Sequence, residues 1–198
     1  MIELRPVDRV EGTAIPLRGN NIDTDRIIPA RFLKALTFDG LGEHVFEDDR
    51  ASMPEHPFAN PAYAGASILL VNENFGSGSS REHAPQALRR WGIDACIGQS
   101  FSEIFLGNAT TIGLPCATAP APDIEELMTI AERDPGTPLA MSVGALSVTA
   151  AGRTIALDIP PLLRDSLLTG QWDATGLLLG EFEDVRRVAS RLPYVRGF

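Results

Sequence analysis

The stretch SILLVNENFGSGSSREHAPQALRRWG, residues 67–92, decides the fold. Ser67–Asn72 is a short run of β-compatible apolar residues, and from about Ser80 to Trp91 the apolar residues fall at helical spacing until Gly92 stops them. The intervening loop is almost entirely glycine and serine. Strand, small-residue loop and helix in that order form the repeating unit of an α/β protein. Downstream, Ala95–Gly98 reads as a second strand, and Ser100 with Glu103 matches a capping box that opens a helix toward Asn108. A third strand near Leu114–Thr118 and a helix opened by Asp123, with Glu126 three residues on, complete a β-α-β-α-β-α series.

Outward from this series the pattern changes. Upstream, a strand over Gly12–Leu17 runs into the turn Arg18-Gly19-Asn20-Asn21, then Asp23-Thr24-Asp25, and a short helix from about Ala30 to Phe38. Residues 48–65 hold Pro54, Pro57, Pro61 and Gly65, a composition that forbids long regular structure and predicts a surface loop. Downstream, Leu139–Val143, Leu146–Ala150 and Thr154–Ile159 alternate with turn residues, so antiparallel hairpins are expected to pack on the α/β part in a mixed or double sheet. Pro160-Pro161 opens a helix that Gly170 closes. Residues 180–198 form a last helix and tail, where Phe182, Val185, Ala189 and Leu192 make a stripe expected to contact the core. The 198 residues are expected to form one domain.

Composition excludes several functions. Seventeen Lys+Arg against twenty-six Asp+Glu give a formal net charge of −9, which leaves no basic face for nucleic-acid phosphates or anionic lipid. No apolar run approaches the roughly 20 residues a bilayer requires, and the charged N-terminus MIELRPVDRVEG is unlike a signal peptide, so a cytoplasmic protein is expected. Cys96 and Cys116 are the only thiols, too few for an iron–sulfur cluster, and no metal-ligand spacing links them to His44, His56 or His83. They read as small buried hydrophobes.

Chemistry concentrates in Asn74–His83. Gly76 and Gly78 allow positive φ and Ser77 leaves its N–H uncovered, so amide dipoles can converge on an anion beside a helix start. Arg81 adds a planar fork suited to a carboxylate. The segment lacks the spacing of a nucleotide phosphate loop, of a dinucleotide fingerprint and of a serine-hydrolase elbow. Each functional reading has a plain counterpart. Ser79 and Glu82 have capping-box spacing, His83 can be a base or a structural hydrogen-bonder, and Asp23 and Asp25 can cap the next helix or bind a cation.

Taken together, DTDRIIPARFL (23–33), GLGEHVFEDDR (40–50), GASILLVNENFGSGSSREHAPQAL (65–88), QSFSEIFLGNATTIGLP (99–115) and DATGLLL (173–179) resemble the small-subunit family of bacterial 3-isopropylmalate dehydratases, the swivelling domain of the aconitase superfamily. The blocks keep their order over nearly the whole chain. The resemblance implies a swivel-type β/β/α fold and a hydro-lyase that interconverts 2- and 3-isopropylmalate through 2-isopropylmaleate in leucine biosynthesis. It also implies a separate large subunit whose three cysteines carry a [4Fe–4S] cluster, this chain binding none.

By the same resemblance Ser79 takes the proton from carbon, Arg81 binds a substrate carboxylate, and Ser80 and Asp25 line the site. Ser77 stands where Cys is common in the family, and Gln86 where an aromatic is common. Leu36, Phe38 and Leu41 offer apolar surface for an isopropyl group, and beyond Arg31 no arginine in that segment is ready for a third carboxylate. The rival readings are a related hydratase acting on citraconate or methylmalate, and a non-catalytic anion-binding module on the same fold.

Overall fold

The computed structural model describes residues 5–34, 37–79 and 81–195, the side chains of Thr175 and Leu179 excepted. In chain order the elements are β1 (Arg9–Gly12), β2 (Ala14–Leu17), α1 (Thr24–Ile27), α2 (Glu47–Ser52), β3 (Ile68–Val71), α3 (His83–Trp91), β4 (Ala95–Gly98), α4 (Glu103–Thr110), β5 (Cys116–Thr118), α5 (Ala121–Arg133), β6 (Leu139–Ser142), β7 (Ser147–Ala150), β8 (Arg153–Ala156), α6 (Pro161–Thr169), α7 (Ala174–Gly180) and α8 (Phe182–Ala189). Strands β2, β3, β4 and β5 lie in that order in a parallel sheet, and β1, β6, β7 and β8 form a separate antiparallel sheet. The hairpins thus build a second sheet, the double form of the two that the sequence allows.

The parallel sheet is buried on both faces, as its continuous apolar strands require. Ile15, Leu69, Val71 and Cys96 point into one core with Ala84, Leu88 and Phe105 of the crossover helices. Ile68, Leu70 and Ile97 point into the other core, against Leu127 and Met128 of α5 and Met141 and Val148 of the antiparallel sheet. Sequential strand order demands crossovers of one hand, which puts α3 and α4 on the same face. Pro16 sits on edge strand β2, where a missing N–H costs least.

The strand expected over 12–17 is two strands. At Gly12 a Cβ would lie 2.0 Å from Ser67 Oγ, and the Thr13 carbonyl accepts from both Ser67 and Ile68 N–H at 3.1 Å. The chain therefore changes sheets at Gly12-Thr13, stitching the two together.

Two caps also differ from expectation. Ser102, not Ser100, caps α4 by accepting from Phe105 N–H at 3.3 Å, and α5 opens behind Pro120, leaving Asp123 within its first turn rather than at the cap. The stripe on the last helix is not core: Phe182 and Val185 are 52% and 42% exposed, Ala189 and Leu192 are only partly buried, and no residue of α8 is buried.

Residues 48–65 hold most of α2 and two single turns, Pro57–Ala59 and Pro61–Tyr63. Phe58 anchors them in the core, with ring centroids 4.8 Å from Phe46 and 5.3 Å from Trp91. His56 is buried beside it and accepts from Phe58 N–H through Nδ1 at 3.3 Å, a neutral-ring contact. Burial holds the His56 ring below its ordinary value of 6.5. The unfolded chain therefore takes up this proton first as pH falls. Its contribution to stability is complete above about pH 6.5 and is lost as pH drops toward the lower folded value. Urea midpoints are expected to decline between about pH 7.5 and pH 5, with a shallower slope in His56→Asn, which keeps an acceptor for Phe58 N–H.

Gly42 fixes the 40–46 segment on α3. A Cβ there would lie 2.5 Å from the Arg90 carbonyl carbon and 2.7 Å from Trp91 N, both backbone atoms that cannot swing aside. Gly42→Ala is expected to cost roughly 2–4 kcal/mol in urea unfolding.

Candidate active site at the strand ends

Three loops leave the C-terminal ends of β2, β3 and β4 side by side, the edge where open α/β sheets place ligands. A backbone lattice joins them. Gly76 N–H donates to Ile22 O at 2.8 Å, Thr24 N–H to Ser77 O at 2.9 Å, Phe75 N–H to Ser100 O at 3.1 Å and Ser102 N–H to Phe75 O at 3.0 Å. Side chains complete it. Thr24 Oγ1 donates to Ser79 O at 3.2 Å, Asn74 N–H to Ser100 Oγ at 2.8 Å and Ser102 Oγ to Gly76 O at 2.6 Å. Thr24, Ser100 and Ser102 are not among the candidate site residues of the sequence; Ser100 and Ser102 carry a short polar side chain just past β4, and Thr24 stands between the two aspartates at the start of α1.

Gly76 has φ +74°, and a Cβ on it would sit 2.4 Å from the buried Phe105 ring. Its amide is committed to Ile22, so Gly76 is a packing glycine and not a donor of the expected anion nest. The Ser77 carbonyl accepts from Thr24 N–H, a bond that leaves Ser77's own N–H unengaged by that contact. Gly78, at φ +95°, has room for a Cβ and is required for its backbone angle alone.

The two aspartates separate in role. Asp23 caps α1, accepting from Arg26 N–H at 2.8 Å, so the capping reading holds for it. Asp25 faces the glycine-rich loop and accepts from Arg81 Nη1. The structure thus brings together two of the predicted site residues, 56 positions apart in the chain.

The capping box on Ser79 is not built. Helix α3 starts at His83, Glu82 gives it no side-chain cap, and the Glu82 carboxylate accepts instead from Gln86 Nε2 at 2.7 Å. Ser79 is exposed, and among the described residues its hydroxyl has no hydrogen-bond partner. Ser80 lies outside the described residues. His83 stands edge-on to Phe38 at 5.1 Å, and the Arg90 guanidinium covers the same Phe38 ring at 5.2 Å.

Nearby arginines are held by acids. Arg31 donates to Asp48 at 2.7 and 2.9 Å and contacts Glu47 at 3.1 Å, which raises its own pKa and holds both carboxyls below their usual range. Arg26 donates to Asp49 at 2.8 and 3.0 Å. Arg31 has both Nη atoms on Asp48 and one of them also on Glu47, two carboxylates on one guanidinium, and is less free for a substrate than Arg81, which among the described residues has the single contact to Asp25. Leu41 is buried in the core and leaves the set of apolar residues facing a ligand, whereas Phe38 remains half-buried at the edge. Leu36 lies outside the described residues.

The cysteines do not fit a cluster. Cys96 and Cys116 oppose each other on β4 and β5, both buried, and desolvation with the neighbouring thiol pushes Cys116 well above its ordinary pKa. No three His, Cys, Asp or Glu side chains among the described residues converge to hold a metal. A cavity of about 340 Å³, lined by Ile15, Phe58, Tyr63 and Trp91, lies under the 57–65 turns, away from Ser79. What stands at the strand ends is an open edge, with an exposed hydroxyl and a fixed cation. It can receive a carboxylate but cannot by itself exclude water.

Parallel α/β core, switched first strand and this edge loop define a class. Residues 4–119 match the aconitase C-terminal domain. Beyond that domain the likeness extends over nearly the whole chain. The 3-isopropylmalate dehydratase small subunit of Synechocystis sp. is 48% identical over 96% of this chain and 95% of its own length. That of Thermus thermophilus is 47% identical over 94% of this chain and 95% of its own. A crystal structure described as 3-isopropylmalate dehydratase from Methanocaldococcus jannaschii superposes with a TM-score of 0.65 at 26% identity, covering 92% of this chain and 98% of that one. The chain belongs to the family of 3-isopropylmalate dehydratase small subunits.

Proposed function

We propose that this chain is the small subunit of a hydro-lyase that interconverts 2-isopropylmalate and 3-isopropylmalate through 2-isopropylmaleate, acting in leucine biosynthesis in the cytoplasm with a large-subunit partner. One observation carries the reading: relatives at 47–48% identity, matched over 94–96% of this chain, bear that enzyme's small-subunit name. The engaged Arg31 agrees with a diacid substrate carrying an apolar branch rather than a third carboxylate. The described residues offer no ligand set for a [4Fe–4S] cluster, so in this proposal the cluster belongs wholly to the large subunit.

The roles of this chain follow from the edge. Arg81 binds a substrate carboxylate and disperses the charge that builds on it as the adjacent C–H is broken. Ser79, exposed at the same edge, gives up its own hydroxyl proton to solvent before the edge closes, and the resulting alkoxide, its charge held by the Arg81 cation and the loop amides, takes the proton from carbon and returns to the hydroxyl form; Ser80 lines the same face. Asp25, facing Arg81, fixes the guanidinium; its own negative charge makes it a poor direct contact for a substrate carboxylate. A serine acts as a base only as its alkoxide, which bulk water protonates, so the reaction requires a partner that covers the edge, excludes water and leaves the alkoxide against the Arg81 cation.

The test is anaerobic reconstitution with the large subunit and assay of isopropylmalate turnover. Ser79→Ala is expected to reduce kcat by about 10²–10⁴ while leaving subunit assembly intact. Arg81→Lys, which keeps the charge and loses the planar fork, is expected to raise KM and lower kcat/KM by roughly 10–100-fold. Full turnover by Ser79→Ala would reduce that residue to a surface serine. Activity toward citraconate or methylmalate in place of isopropylmalate would move the substrate assignment to the related hydratases.

A further inference from the structure

We propose that Thr24 is a positioning residue for the proposed reaction, its buried hydroxyl fixing the direction in which the Ser79 side chain leaves the loop. The inference rests on the role proposed for Ser79. Thr24 is 2% exposed, and its hydroxyl donates to the Ser79 carbonyl at 3.2 Å across 55 positions of chain. A threonine within a helix ordinarily returns its hydroxyl to a carbonyl three or four residues earlier. Thr110 does so, on Leu106 O at 2.9 Å. Thr24 opens α1, where no earlier turn exists, and spends its hydroxyl on the neighbouring loop. The helix does not need that hydroxyl as a cap, because Asp23 supplies one.

The same residue holds the loop at a second point, with Thr24 N–H on Ser77 O at 2.9 Å. The carbonyls on either side of Gly78 therefore both turn toward Thr24. Gly78 lies against it: a Cβ there would stand 3.6 Å from Thr24 Oγ1 and 3.9 Å from Thr24 N. A glycine at φ +95° is a joint about which the chain can swing, with no side chain to stop it. Thr24 N–H holds the Ser77 end of that joint. The Thr24 hydroxyl holds the Ser79 end, since among the described residues Ser79 makes no other hydrogen bond and its side chain is exposed. With both ends held, the Cα–Cβ bond of Ser79 keeps one direction, and a reacting group about 1 Å out of place can cost roughly 10²-fold in rate. Arg81 is held separately, by Asp25, so loss of the Thr24 hydroxyl leaves the carboxylate anchor in place.

Anaerobically reconstituted holoenzyme tests this, with assembly checked by gel filtration. Thr24→Val replaces the hydroxyl by a methyl of nearly the same size, and is expected to lower kcat about 10–100-fold with KM within about twofold. Thr24→Ser keeps the hydroxyl and is expected to hold kcat within about threefold, whereas Thr24→Ala, which differs from it by the hydroxyl alone, is expected to fall as far as Thr24→Val. Wild type against Thr24→Val and Thr24→Ser against Thr24→Ala each isolate the hydroxyl, so the comparison survives if one variant fails to assemble. A merely structural role would instead make Thr24→Ser, which loses a buried methyl, less active than Thr24→Val. That order, full kcat in Thr24→Val and Thr24→Ala, equal losses in Thr24→Ser and Thr24→Ala, or a loss carried by KM would each overturn the inference while leaving the role of Ser79 standing. Full turnover by Ser79→Ala would remove that role, and the inference with it.

Discussion

The site depends on one constraint: the loop after β3 must run alongside the loop after β2 with its backbone already paired. Gly76 to Ile22 and Thr24 to Ser77 are ordinary amide hydrogen bonds, but they link segments more than 50 residues apart at the open end of a sheet. Each contributes on the order of 1 kcal/mol net. Their larger effect is geometric, because they fix where Ser79 leaves the loop and bring Asp25 within reach of Arg81. The same pairing explains why Gly76 cannot carry a side chain: the chain can only reach Ile22 by passing over the Phe105 ring.

That constraint separates what the sequence conveys from what it conceals. The β-α-β order around residues 67–92 is legible because apolar periodicity and glycine stops are local signals. The change of sheet at Gly12-Thr13 is not, since Gly12 at the start of the segment reads equally well as a strand end or a turn, and nothing local says that two different neighbours will claim the residues on either side of it. The capping boxes on Ser100 and Ser79 mislead for a related reason. The spacing is satisfied, but Ser100 Oγ is taken by Asn74 N–H, and at Ser79 the helix begins only at His83, so no helical N–H lies where a Ser79 cap would reach. The last helix misleads in the other direction, because an amphipathic stripe reports that a face will be covered without saying by what.

Electrostatics at the edge follow from an acidic chain that spends its cations carefully. Glu47, Asp48 and Asp49 occupy the first turn of α2, where the helix dipole already favours negative charge, and from there they hold Arg31 and Arg26. On the other flank Arg18 is held by Glu125 and Glu132 of α5, and Glu125 also receives Asn72 Nδ2 at 2.7 Å at the end of β3. These clamps are partly exposed and individually weak. Under the proposed roles they would collectively keep three guanidinium groups from competing with Arg81 for an incoming carboxylate.

Arg81 is itself paired with Asp25, and this arrangement suits a binding residue better than a free guanidinium would. A guanidinium offers five donors, so one engaged by Asp25 leaves others for a second carboxylate in a fixed orientation. The Asp25 carboxyl is about half exposed while the Arg81 side chain is mostly covered, so the guanidinium is held in place and part of it still reaches solvent. An exposed pair of this kind screens readily and gains strength only when water is removed. Closure of the edge by another protein would therefore do two things at once under the proposed roles: it would strengthen the hold of Arg81 on the substrate carboxylate, and it would strengthen the attraction of the same cation for a Ser79 alkoxide while excluding the water that would protonate it, which outweighs the cost that desolvation alone puts on that charge.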